Sequence, residues 1–310
     1  MGKYQTKEDI EVKLFFEENE ATEENINKFI GLKKSVNADM NRMIHAIQAY
    51  AKSKRNEDFV SEAGILLTNY QKYCSGLMAS LSRITKEMYG QEVWEEIFGN
   101  VQMPEAGWTL NETSDFTREI ERKYISATSI KQYECAIKKG NPWVKKFKES
   151  DRKELNLDDI DALIEKENAA FIELLKGYKK SSRLFFNQKI TNSVIEAYQS
   201  GEWYVACRRG SKINIIKIPF LMNKYLAETD NLMKRYYACH CPWVRKSILK
   251  KQTISKSFCH CSISHDTQWL VDAFGRELDG RVVCSVLEKN SLQCVFEIDI
   301  PVDIMNRSKK

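Results

Sequence analysis

Hydrophobic periodicity changes once along this 310-residue chain, at Gly201, so helices must come first and a mixed segment after them. Upstream, apolar residues recur at spacings of three and four. After Thr22, with Glu23 and Glu24 in a first turn, Ile26, Phe29, Ile30, Val36, Met40, Met43, Ile47 and Tyr50 predict a helix closed by Lys52, Lys54 and Arg55. A second is predicted through Leu66, Tyr70, Tyr73, Leu77, Leu81, Ile84 and Met88, and 100–108 reads as a loop around Pro104 and Gly107. Periodicity resumes at Phe116, Ile120 and Tyr124, continues through Ile130, Tyr133 and Ile137, and stops at Gly140-Asn141-Pro142. Two further helices fill 157–200.

From Glu202 the pattern is different. EWYVAC and KINIIKIP flank RRGS as a hairpin, and short helices are expected through Tyr225 and after Asp230. Pro242 could occupy the first position of another helix. SFCHCS reads as extended, and His265 to Leu278 is amphipathic with Trp269, Leu270, Ala273 and Phe274 inward. RVVCSVLE and LQCVFEIDIP read as closing strands, the second placing Leu292, Cys294, Phe296, Ile298 and Ile300 on one face. The expected fold is α+β: a helical domain over 1–200, then a smaller α+β domain over 201–310 with an antiparallel sheet.

Hydrophobic residues make up 43% and charged residues 29%, an ordinary balance for a globular chain. No apolar run approaches the roughly 20 residues that span a bilayer, and the first twenty residues lack a signal-peptide core. A cytoplasmic protein without membrane partners is the expectation, and nine cysteines are then not a disulfide framework. Charge is lopsided. Residues 1–200 carry 30 Lys and Arg against 32 Asp and Glu, 201–310 carry 18 against 11, and 208–256 alone carry 12 against 2. Such a field attracts anions. Aromatic residues interleave with it (Tyr225, Tyr236, Tyr237, Trp243, Phe258), yet no nucleic-acid fold signature accompanies them, which favours a small anionic metabolite over nucleic acid. Arg235, Arg245 and Trp243 are the candidate ligand-binding residues.

Seven of the cysteines and three of the four histidines crowd into the last third. They centre on Cys239-His240-Cys241 and Cys259-His260-Cys261, with 17 residues between the triplets. In an extended triplet both thiols point one way and the histidine the other. Cys239, Cys241, Cys259 and Cys261 could therefore surround a tetrahedral zinc ion, with His265 able to replace one of them. The single-residue spacing is less usual than two intervening residues, and an iron–sulfur cluster is a lesser alternative on ligand count. The same thiols could instead act as nucleophiles, with Arg235, Arg245 and Lys246 favouring thiolate and His240, His260 or His265 as general base. Cys261 and His265 are the catalytic candidates in that case. Cys74, Cys135 and Cys207 read as core cysteines, while Cys284 and Cys294 fall on neighbouring strands whose register the sequence leaves open.

From Gly201 to Pro301 the chain resembles the C-terminal part of an uncharacterised bacterial family. The resemblance is carried by KIPF (217–220), KRYYACHCPWVR (234–245), FCHCS (258–262) and LQCVFEIDIP (292–301). More distantly, Cys241-Pro242, Cys261 before a helix, and Cys294-Val295-Phe296 resemble L-2-amino-thiazoline-4-carboxylate hydrolases and vinyl-reductase-like ligand-binding domains. The resemblance implies a domain that binds a small molecule or metal, and hydrolysis of a C–N bond in a small cyclic amidine or amide such as a thiazoline carboxylate. A ligand sensor without catalysis, its helical half contacting a protein partner, is the third expectation.

Overall fold

The computed structural model describes residues 6–36, 38–54, 56–68, 76–104, 108–142, 159–186 and 188–307. Thr6 opens helix α1 (Lys7–Glu18) with a reciprocal cap: its hydroxyl accepts from the Asp9 amide at 3.1 Å, and the Asp9 carboxylate accepts from the Thr6 amide at 2.9 Å. Thr22 caps α2 (Glu23–Lys34) in the same region of the chain. The single helix expected from 23 to 55 is two helices. Asp39 accepts from the Arg42 amide at 3.3 Å and so starts α3 (Met40–Lys54) afresh. With α4 (Glu57–Thr68) these helices enclose their own core, in which the Phe16 ring lies 4.9 Å from Phe59 and 5.8 Å from Phe29.

The helix expected from Leu66 to Met88 falls partly on residues outside the described ones. α4 ends at Thr68 and α5 (Leu77–Phe98) begins at Leu77, with Tyr70 and Tyr73 outside the described residues. Within α5, Gly90 takes φ 87° and ψ 176°. The Trp94 indole N–H donates to the Ser82 hydroxyl at 2.7 Å. Twelve residues of straight helix would separate those residues by about 18 Å, so α5 is a hairpin of two helices folded at Gly90. α6 (Leu110–Ala127) and α7 (Ile130–Lys139) follow, the latter stopping at Gly140 as its sequence predicts, then α8 (Ile160–Lys180) and α9 (Asn192–Gln199).

Past Gly201, β1 (Ala206–Arg209) and β2 (Lys212–Ile216) form the expected hairpin, with Gly210 at φ 63° in its turn. α10 (Met222–Ala227) and α11 (Asn231–Ala238) come next, Asp230 capping α11 through the Met233 amide at 2.8 Å. Pro242 lies in a turn and α12 (Arg245–Leu249) starts three residues later. SFCHCS is not extended. Lys256–Cys259 is a 3-10 turn that runs into α13 (His260–Asp266), and Thr267 separates α13 from α14 (Gln268–Phe274). β3 (Gly280–Cys284), β4 (Val295–Asp299) and α15 (Val302–Arg307) complete the chain.

The four strands pair antiparallel in the order β1-β2-β4-β3. The fold is α+β, a helical region followed by a segment built on a small antiparallel sheet. One sheet face, through Ala206, Ile213, Ile215, Phe296 and Ile298, packs on Leu270 and Phe274 of α14 and Ile160 and Ile164 of α8. The largest core crosses the point where the periodicity changes, joining Leu81, Tyr124 and Tyr133 to Trp203, Tyr236, Trp243 and Phe258. No helix among the described residues is long and apolar enough to cross a membrane.

Candidate functional site

The first triplet begins where α11 ends. Cys239 is the C-cap in extended conformation, its amide bonded to the Arg235 carbonyl at 3.2 Å. The Arg235 guanidinium is taken up by the Val286 carbonyl at 2.7 Å and the Leu287 carbonyl at 2.9 Å, which ties α11 to the loop after β3. His240 turns away from the thiols as the extended geometry requires. Its Nε2 meets the Ile218 carbonyl at 2.6 Å, and its ring lies edge-on to Phe220 and Phe186. Burial lowers its pKa to about 3, helped by the Lys217 charge.

The second triplet is helical, so Cys259 and Cys261 point about 200° apart around the axis rather than together. Cys259 lies 3.2 Å from the Ser285 hydroxyl. Cys261 is buried, and its carbonyl accepts from Asn141 at 2.6 Å. His260 again faces elsewhere, with Nδ1 at 2.9 Å from the Ser257 carbonyl and Nε2 at 3.9 Å from Glu134.

Despite that divergence the thiols of the two triplets lie within electrostatic reach of one another, Cys241 of Cys261, Cys239 and Cys259, and Cys294, just ahead of β4, lies within reach of Cys259. Burial raises all five thiols, and for Cys241, Cys259 and Cys294 neighbouring thiols add to it. Cys241 is raised well above the ordinary thiol value by burial and then by Cys261, Cys239 and Cys259; Cys259 by burial and then by Cys294, Cys239 and Cys261. Cys239 is raised by burial against the pull of Arg245, Lys217 and Arg235. Burial pushes Cys261 to about 11 and Cys294 to about 12, with Lys217 opposing both. The expectation that Arg235, Arg245 and Lys246 would favour thiolate is therefore overturned, because desolvation outweighs their attraction.

Lys217 is the cation nearest this chemistry in effect. Its ammonium pairs with Asp266 at 2.9 Å and bonds the Ser262 hydroxyl at 3.2 Å, while its amide bonds the Cys294 carbonyl at 3.0 Å. Burial would raise Asp266, but Lys217 and His265 override it and hold the carboxyl at about 2. His265 is exposed and its Nδ1 meets Asp266 at 3.1 Å, so it serves that carboxylate and makes no hydrogen bond to Cys261 among the described residues. Tyr133 packs against the same region, its pKa raised by burial, Glu121, Cys261 and others.

All eight described cysteines are free, and Cys74 lies outside the described residues. Cys135 and Cys207 are half-buried. Cys284 stands opposite Val295 and contacts the Gln293 carbonyl at 3.5 Å, so it is not paired with Cys294. Among the described residues no three His, Cys, Asp or Glu side chains are already arranged around a common ion position. Thiolates are donors that soft metal ions take, and three separate segments supply five thiols within electrostatic reach of one another.

The basic segment is largely neutralised from within. Lys246 pairs with Glu23 at 2.6 Å, Lys250 with Asp115 at 3.1 Å, Arg208 with Asp161 at 3.0 Å, Lys212 with Glu297 at 2.7 Å and Lys256 with Glu288 at 3.2 Å; Lys224 pairs with Asp58. Glu23, Asp58, Asp115 and Asp161 all belong to the helical region, so much of the charge serves contact between the two parts of the chain. Tyr225, Tyr236, Trp243 and Phe258 are buried rather than displayed for stacking. Trp243 is wholly buried against Phe116, at 6.0 Å between ring centres.

Sequence reading missed Cys294 as the fifth thiol, the Lys217–Asp266 pair and Ser285. Only Cys294 left a signal, by sharing the inward face of its strand. No family model matches the chain, and no significant match to a curated protein or a solved structure was found.

Proposed function

We propose that this protein is a cytoplasmic metal-binding protein in which Cys239, Cys241, Cys259 and Cys261 hold a zinc ion, with Cys294 beside them, next to a site for a small anionic molecule. The supporting observation is that five thiols from three separate segments, Cys239 and Cys261 buried and Cys241, Cys259 and Cys294 half-buried, lie within electrostatic reach of one another. Aliphatic packing gives no reason to gather thiols in one place, where those of Cys241, Cys259 and Cys294 are raised further by the thiols near them. A dication supplies one, because it stabilises the thiolate form that burial opposes. Bound zinc would provide a fixed positive centre and a structural clamp between α11, α13 and the start of β4. Eight free cysteines suit a reducing compartment.

The raised thiols argue against the nucleophile reading. A buried neutral thiol is a poor nucleophile, and His240 and His260 have ring nitrogens committed to backbone carbonyls rather than to sulfur. The likeness of 201–301 to thiazoline-carboxylate hydrolases and vinyl-reductase-like domains is compatible with ligand binding and does not by itself require turnover.

Elemental analysis of untagged protein tests the reading. About one zinc per chain is expected, with release of protons when zinc is added to metal-free protein and loss of the metal in Cys239→Ser and Cys261→Ser. Less than about a tenth of an equivalent of any transition metal, with no binding on reconstitution, sinks it.

A further inference from the structure

Arg245 is fully buried, yet its Nε, Nη1 and Nη2 all lack a hydrogen-bond partner among the described residues. Its guanidinium lies over the Tyr236 ring at 4.1 Å and over Phe220 at 5.0 Å. The rings cover the face of the cation and leave its N–H edges as the directions still open to an acceptor. A guanidinium is a permanent cation and offers a planar fork of donors. Burying it with its donors unused is strongly unfavourable unless something else satisfies them.

One carboxylate lies within electrostatic reach of that cation. Glu62 of α4 has a buried, unpartnered Oε2, and its pKa is raised by burial, then lowered by Arg245, the first of the charges acting on it. No ion pair of 4.0 Å or less joins the two among the described residues. Around them lie Glu23 paired with Lys246, and Asp58 paired with Lys224. A buried cation and a carboxylate with one buried oxygen thus act on each other electrostatically, and among the described residues neither that oxygen nor the guanidinium has a hydrogen-bond partner.

The surroundings also provide a way in. α1 to α4 enclose a core of their own, separate from the large core that contains Tyr236 and Trp243. Charged pairs connect this unit to α10 and α12, and interfaces of that kind part more readily than apolar ones. Separation there would open the Arg245 edge while leaving both cores closed.

We propose that Arg245 is the anchor for a carboxylate of a small molecule, bound between α4 and α12, and that Glu62 is the built-in competitor it displaces. A carboxylate is favoured over a tetrahedral anion because it is planar, matches the fork in two parallel bonds, and is the group the chain itself presents there. The proposal deepens the anionic-ligand part of the function proposed above and does not depend on the metal.

The test uses the full chain, with thermal unfolding followed against sodium acetate at ionic strength held constant with sodium chloride. Glu62→Gln should show a saturable rise in Tm, with acetate binding at least about tenfold tighter than in the wild type, since the competing charge is gone. Adding Arg245→Met should abolish the rise. If that double variant does not fold, Glu62→Gln with Arg245→Lys keeps the charge without the fork and should weaken acetate at least about tenfold. No saturable response in Glu62→Gln, or an undiminished one once Arg245 is replaced, overturns the proposal. Saturation by inorganic phosphate but not acetate overturns the carboxylate assignment. Metal content measured on the same samples separates this outcome from failure of the thiol site: acetate binding without metal leaves Arg245 in place and removes the zinc reading alone.

Discussion

Lys217 and Asp266 form an ion pair, Nζ to Oδ2 at 2.9 Å, that bridges the end of the β1–β2 hairpin and α13 beside the thiol cluster. Both side chains are mostly buried, at 14% and 16% exposure, so neither is well solvated if the other is removed. Asp266→Asn should therefore lower stability at neutral pH by about 3–5 kcal/mol in urea unfolding. Because the folded carboxyl titrates at about 2 rather than 3.8, the pair stabilises fully above the unfolded value and is lost as pH falls through that interval. The variant should lack this acid-side loss. An unchanged acid limb, or a stability loss below about 1 kcal/mol, would show the pair to be incidental.

His240 makes the opposite test of burial, since its neutral form is the one the fold holds. Its folded pKa of about 3 lies below the ordinary 6.5, so the unfolded chain takes up the proton first and stability falls as pH drops from 6.5 toward 3. The full effect is on the order of 5 kcal/mol. NMR titration should show the His240 ring, assigned against His240→Asn because burial lowers His260 as well, unprotonated above pH 5 (about two units above its folded value). His240→Asn should remove the slope while leaving metal content intact, because the ring serves the Ile218 carbonyl rather than the thiols.

Much of the architecture was legible where a local rule acts alone. Thr22, Gly140 and Asp230 mark helix ends by capping chemistry, and RRGS marks the hairpin turn. The triplet Cys259-His260-Cys261 was misread because a six-residue run with apolar residues in alternation fits a strand as well as a buried turn of helix. Its conformation is decided by packing, with Phe258 wholly buried and Asn141 bonding the Cys261 carbonyl. The basic segment was read as an external field because its partners, Glu23, Asp58, Asp115 and Asp161, are distant in the chain. The same holds for the site: the triplets stand out by composition, whereas Lys217, Ser285 and Cys294 become neighbours only through the sheet and the loop after β3.

Glu121 should respond to pH with the sign opposite to Asp266. Its carboxylate is buried and accepts from the Ser255 amide at 3.2 and 3.1 Å and from the Ser255 hydroxyl. Burial raises its pKa above 4.5 despite those bonds, so its contribution favours the acid side and is lost as pH rises through the folded value. Glu121→Gln keeps an acceptor for Ser255 without the charge. It should raise Tm at pH 7 and leave it unchanged below the ordinary carboxylate range. A lower Tm at pH 7 would mean that the charge on those bonds outweighs its desolvation.

The hairpin in α5 depends on one residue. Gly90 sits at φ 87° and ψ 176°, a region essentially closed to residues with a side chain. Beyond its own stretch of backbone, a methyl group there would meet nothing within 4 Å, so collision with packed neighbours does not enter the outcome of Gly90→Ala. The cost is purely conformational, about 1–3 kcal/mol. It falls on the reversal that brings Trp94 to the Ser82 hydroxyl and Lys86 to within 5.5 Å of the Trp94 ring. If the substitution drives the backbone toward helix, the two arms straighten and both contacts are lost, and no change elsewhere can restore them. Urea unfolding should report the stability loss, and the Trp94 contribution to fluorescence, isolated against Trp94→Phe, should shift toward that of an exposed indole. Retention of full stability would mean that the reversal tolerates an ordinary residue and that Gly90 does not set the course of the chain into α6.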